Sequence, residues 1–261
     1  MQQNNSRLKI ALIQSSLHWE NPNANRDMFG NKIEQIEQDV DLIVLPEMFT
    51  TGFTMSPANI DIHEGVITLD WMKKIATCKN SAIIGSTVFH DNGNYYNRLL
   101  VVKPNGEYES YDKRHTFTLA GEHEKYTAGT ERLIVNFRGF AICPLVCYDL
   151  RFPVWSRNTE NFDVLLYTAN WPTPRINAWD ALLKARAIEN MVYCVGVNRV
   201  GIDEVGHLYP GHSSLYDPLG GLISLTEKEE TIIVEIEKEK IDLVRKKLRF
   251  LNDRDHFTLS N

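Results

Sequence analysis

Short apolar runs rich in isoleucine, valine and leucine recur along this chain and constrain its fold more than any other feature. They are 8-LKIALIQSS-16, 41-DLIVLPE-47, 81-SAIIGST-87, 98-RLLVVK-103, 131-ERLIVNF-137, 139-GFAICPLVC-147, 162-FDVLLYTAN-170, 191-MVYCVGVNRV-200 and 231-TIIVEIE-237. Most are too short for an ordinary helix and read as strands. Several lack apolar–polar alternation, which predicts strands covered on both faces. Helical periodicity fills some of the gaps. Met28, Phe29, Ile33, Ile36 and Val40 recur at helical steps within 24–40, and Leu69, Met72, Ile75 and Ala76 within 68–79. Trp179, Leu182, Leu183 and Ala187 share a face of 176–190, as do Ile241, Val244 and Leu248 of 239–250. Strands alternating with helices predict an α/β fold. The stretch 85–137 breaks that rhythm with a hairpin signal, Pro104-Asn105-Gly106, so a mixed sheet is expected. Length alone gives about 1.7 domains at one per ~150 residues. No linker-like or low-complexity segment divides the chain, so one domain over 1–261 is expected.

Charge narrows the partners. Twenty-eight basic against 34 acidic residues leave a net charge of −6, which disfavours binding to nucleic acid. No apolar run approaches the ~20 residues of a spanning helix. The start, MQQNNSRLKIALIQSS, has no secretory apolar region. A cytoplasmic protein without a membrane partner is expected, and the Asn4-Asn5-Ser6 sequon then carries no information. The four cysteines, Cys78, Cys143, Cys147 and Cys194, should stay reduced in that compartment. Their ordinary role is as small buried hydrophobes. Phosphate-loop, dinucleotide, HExxH and GxSxG signatures are absent, and the histidines show no ligand spacing. Neither a metal nor a cofactor is expected.

Three polar residues end predicted strands, where α/β folds place their sites. Glu47 follows 42-LIVLP-46, Lys113 closes the second hairpin strand, and Cys147 ends 139-GFAICPLVC-147. Each has a plain alternative: a solvated loop acid, a surface lysine, a buried thiol. Together they match what amide hydrolysis needs, a nucleophile, a carboxylate base and a cation beside the carbonyl oxygen.

The order and context of these residues resemble the nitrilase superfamily of carbon–nitrogen hydrolases. The motifs are 44-VLPEMFTTGF-53, 111-YDKRHTF-117 and 145-LVCYDLRFPVW-155, with 169-ANWP-172, 184-KARAIEN-190 and 211-GHSSLYDPLG-220. Within the superfamily the chain is most similar to the bacterial omega-amidase, or 2-oxoglutaramate amidase, branch. The resemblance implies a four-layer α-β-β-α sandwich that forms homodimers through its helical face, with the 238–261 tail reaching toward the partner. It implies Cys147 as nucleophile, Glu47 as general base, and Lys113 with the Tyr148 backbone N–H as oxyanion donors. A thioester acyl-enzyme follows, and Cys147 should be the thiolate among the cysteines, alkylated ahead of the others. A second catalytic glutamate is implied at Glu122, seven residues before Gly129, with Glu124 as second choice. The implied substrates are 2-oxoglutaramate and 2-oxosuccinamate. Arg151, Arg175 and His115 are candidates to hold their carboxylate and keto groups, and Trp171 to wall the pocket. Other amidase, N-carbamoyl hydrolase or nitrilase activities, and a non-catalytic interaction protein of the same fold, are the alternatives.

Overall fold

A computed structural model describes residues 6–259. Asn4 and Asn5 of the sequon and the last two residues of the 238–261 tail lie outside this range. Two six-stranded sheets dominate. The first has the order β14 (Glu230–Glu237), β1 (Arg7–Gln14), β2 (Leu42–Val44), β3 (Ala82–Asp91), β4 (Asn94–Val102), β5 (Tyr108–Asp112). The second runs β13 (Leu222–Thr226), β12 (Ser213–Tyr216), β9 (Tyr193–Val197), β8 (Val164–Thr168), β7 (Phe140–Val146), β6 (Val135–Phe137). Each sheet is parallel at its centre and antiparallel at its flanks, so the expected mixed sheet occurs twice. A separate ribbon pairs β10 (Val200–Ile202) with β11 (Leu208–Pro210).

Alternate residues of β1 show how the layers stack. Leu8, Ile10 and Leu12 meet Ile142, Val146 and Leu165 of the second sheet. Ala11 and Ile13 instead meet Phe29 and Ile33 of α1 (Pro22–Glu34) and Met72 of α2 (Glu64–Lys79). Both sets are fully buried, at about 1.5–3 kcal/mol for each large aliphatic side chain. A one-residue slip of β1 would exchange the two sets, so the register is fixed. On the far side, α4 (Ile176–Asn190) lays Trp179, Leu183 and Ala187 on the second sheet. Helix α5 (Lys238–Leu248) buries Ile241 and Val244, and its Arg245 donates to the Met191 and Phe162 carbonyls. The result is the α-β-β-α sandwich. Among the described residues, no helix is long and apolar enough to cross a membrane.

Several predicted boundaries move, two of them by several residues. The helix expected over 24–40 stops at Glu34, and Val40 instead leads into β2. The strands near 81–87 and 98–103 extend toward each other and meet at Asn92-Gly93, both at positive φ (48° and 82°). That is the backbone a two-residue hairpin requires.

Candidate active site

The strand ends converge on one buried cluster. Glu47 lies three residues beyond β2, Lys113 one beyond β5, and Cys147 directly after β7. Glu122 opens the short helix α3 (Glu122–Lys125). Glu47, Lys113 and Glu122 are essentially inaccessible, and Cys147 is 8% exposed. Lys113 Nζ donates to Glu47 Oε1 at 2.9 Å and to Glu122 Oε2 at 2.8 Å. Asn97 of β4 braces both acids from below, its Nδ2 donating to Glu47 Oε1 at 2.8 Å and Glu122 Oε1 at 3.1 Å. The Phe117 N–H donates to Glu122 Oε2 at 2.5 Å. Asn170 orients the other face of Glu47: its main-chain N–H donates to Oε2 at 2.8 Å, and its Nδ2 to the Glu47 carbonyl at 2.7 Å. The Cys147 sulfur lies 3.9 Å from the Asn170 carbonyl.

This much charge can be buried only because it is paired and hydrogen-bonded. Burial alone would lower the Lys113 pKa, but Glu122 and Glu47 outweigh it and hold the ammonium charged. Burial pushes the Glu122 carboxyl up; Lys113 opposes this, and Glu47 adds to it. Burial likewise raises the Cys147 thiol, and the negative charge of Glu47 raises it further, against a smaller pull from Lys113. The expected thiolate is thereby corrected: the free site favours a protonated thiol facing a carboxylate. Cys78 is the exposed cysteine.

Cys147 has a φ of +44°, so the chain turns sharply out of β7 into the single turn Cys147–Arg151. The first N–H groups of such a turn, Tyr148 among them, have no acceptor within it. The sulfur faces a cavity of about 310 Å³ that also borders Lys113, Tyr148 and Trp171. Arg151 and Arg175 line it too. The Arg151 guanidinium sits over the Trp171 ring at 4.9 Å and that of Arg175 over Phe117 at 5.2 Å. Among the described residues, neither guanidinium forms an ion pair. The Trp171 indole N–H is fixed on the Arg175 carbonyl at 2.7 Å.

His115 does not join them. Its Nδ1 lies 2.7 Å from Asp149 Oδ1 and its ring stacks on Phe152 at 3.7 Å. It borders a separate cavity of about 150 Å³, which corrects its expected role as a substrate contact. Glu124 is exposed on the outer side of α3. The sequence reading assigned no role to Asn97, Asn170 or the ribbon residues Asp203, His207 and Tyr209, although the last four border the cavity. Asn170 ends the run 162–170, so the strand-end rule that found Cys147 would have found it as well. Among the described residues, no group of three or more His, Cys, Asp or Glu side chains could hold a metal ion.

The family described as carbon-nitrogen hydrolase matches residues 9–246. An omega-amidase, YafV, of Yersinia enterocolitica is 44% identical over 256 residues, covering 97% of this chain and 99% of that one. A 2-oxoglutaramate amidase of Bacillus subtilis is 32% identical, covering 94% and 96%. The solved structure of XC1258 from Xanthomonas campestris, a CN-hydrolase superfamily protein with an arsenic adduct in its active site, superposes with a TM-score of 0.94 at 39% identity, covering 97% and 99%.

Proposed function

This chain belongs to the carbon–nitrogen hydrolase family, and within it we propose an omega-amidase that converts short 2-oxo dicarboxylate monoamides to the 2-oxo acid and ammonia. One observation carries the reading: Cys147 and Lys113, the latter held by buried Glu47 and Glu122, line a cavity with the guanidiniums of Arg151 and Arg175, neither of which is ion-paired among the described residues.

In this reading Glu47 takes the Cys147 proton as sulfur attacks the amide carbon. This suits a thiol that rests protonated beside a carboxylate. Charge develops on the carbonyl oxygen, where Lys113 Nζ and the Tyr148 N–H receive it. One such donor lowers the barrier by about 3–4 kcal/mol. Glu47 returns the proton to the leaving nitrogen, and ammonia departs from a Cys147 thioester. Glu47 then takes a proton from water as it attacks the thioester, and returns that proton to the leaving Cys147 sulfur, freeing the 2-oxo acid and the thiol. Glu122 and Asn97 hold Lys113 and Glu47 in place. Arg151 and Arg175 take the substrate carboxylate, with Trp171 as a wall. Names given to relatives, an omega-amidase and a 2-oxoglutaramate amidase, support this substrate class.

The same proposal includes a cytoplasmic homodimer. Exposed Leu243 and Phe250, in and just after α5, support a helical face that a second copy covers.

Ammonia release on a panel tests the activity. The expected order places 2-oxoglutaramate and 2-oxosuccinamate ahead of glutamine, asparagine and aliphatic amides. Fastest turnover of a nitrile or an N-carbamoyl compound would overturn it.

A further inference from the structure

Asp149 is a fully buried carboxylate that the proposed chemistry does not use. It lies two residues after Cys147 and accepts four hydrogen bonds. Its Oδ2 accepts from the Val146 N–H at 3.0 Å and the Tyr111 hydroxyl at 2.8 Å. Its Oδ1 accepts from the His115 N–H at 3.0 Å and faces His115 Nδ1 at 2.7 Å, which selects the tautomer with the proton on Nδ1. A carboxylate offers about four acceptor positions, so all are filled.

The donors come from both chemical segments of the site. Val146 immediately precedes the nucleophile. Tyr111 and His115 flank Lys113, two residues to either side. The Tyr111 hydroxyl also accepts from the Arg114 N–H at 3.1 Å and the Trp155 indole at 3.0 Å. A single side chain thus ties the segment carrying the cation to the turn carrying the thiol.

The backbone shows why a tie is needed. Cys147 holds a left-handed φ of +44°, a conformation that persists only where its surroundings over-determine it. The Val146 N–H bound to Asp149 closes that turn. His115, stacked on Phe152 with an interplanar angle of 4°, holds Asp149 from the opposite side.

We propose that Asp149, oriented by His115, is the positioning residue of the site: it sets Lys113 Nζ and the Tyr148 N–H relative to the Cys147 sulfur without touching substrate. This rests on the amidase reading above, so the test begins with wild type and Cys147→Ala. If wild type releases no ammonia from any amide of the panel, that reading fails and takes this inference with it.

Two further variants isolate the positioning role. His115→Leu removes the Nδ1 donor at the edge of the structure, and His115→Asn keeps a donor in nearly the same place. The expected result is a kcat about tenfold or more lower for His115→Leu, with KM little changed, and recovery of most of the loss in His115→Asn. Both should melt near wild type. Asp149→Asn, which turns one acceptor into a donor facing other donors, should lower kcat on the order of 100-fold. Equal kcat for His115→Leu and His115→Asn would overturn the proposal. So would kcat losses that merely follow losses of melting temperature across the three variants.

Discussion

Burial sets the state of Cys147 before any substrate arrives. The thiol is raised by desolvation and then by Glu47, so in the proposed chemistry its reactivity depends on a base removing the proton, not on a standing thiolate. Glu47→Gln separates two effects of opposite sign. Loss of the negative charge alone would ease ionisation and speed alkylation of Cys147; loss of the base would slow it. The expected outcome is slower iodoacetamide labelling of Cys147, read by peptide mass spectrometry against exposed Cys78 in the same sample, and faster labelling would refute base catalysis by Glu47. Cys143 links stability to pH. Burial pushes its thiol up to about 12, against about 8.5 in an unfolded chain. Between these values the folded state holds one more proton, so this residue's contribution is complete below pH ~8.5 and declines as pH rises, by about 1.4 kcal/mol per unit. Urea unfolding at stepped pH should show a shallower alkaline loss in Cys143→Ala than in wild type; parallel curves would contradict this. At this scale the grouping of Glu47, Lys113 and Cys147 was legible because each ends a predicted strand. His115 was misassigned because nearness in sequence does not say which way a side chain faces. Asn97 was invisible because an amide within a strand resembles any other polar strand residue.

At the scale of elements, the site depends on how loops leave the two sheets. Residue 113 must follow β5 at a fixed place, and Gly129 packs against that exit. A Cβ at Gly129 would lie 2.1 Å from the Asp112 carbonyl oxygen, and the Gly129 N–H donates to the Lys113 carbonyl at 3.0 Å. Gly129→Ala should therefore push the β5 exit away and lower both melting temperature, by an overpacking cost of about 1–3 kcal/mol, and kcat. Wild-type kcat in the variant would show that Lys113 is placed independently of this contact. The central strands were legible because burial on both faces leaves continuous aliphatic runs. The outer half of the β3–β4 hairpin was not, since 88-VFHDNGNYYN-97 alternates little and is polar at its tip. Its Asn92-Gly93 signal was there to be read. Strands β10 to β13 were missed because they are short, at three to five residues, and gain their order from partners distant in sequence.

For the whole molecule, a net charge of −6 surrounds a cavity lined by Arg151 and Arg175, neither of them ion-paired among the described residues. Local cations at contact distance outweigh a diffuse surface charge screened over about 8–10 Å. Replacing Arg151 or Arg175 with Met should raise KM for 2-oxoglutaramate about tenfold or more, as expected for losing a hydrogen bond to a charged group. Turnover of a neutral aliphatic amide should change little. Equal effects on both substrates would remove these arginines from carboxylate binding. In the proposed chemistry one thiol, one base and one cation, carried by two sheets, hydrolyse an amide through Cys147. Ammonia release from 2-oxoglutaramate by wild type and by Cys147→Ala is the decisive measurement. Steady release by the wild type and none above background from a folded variant are expected; release by Cys147→Ala at the wild-type rate would exclude Cys147 as the nucleophile.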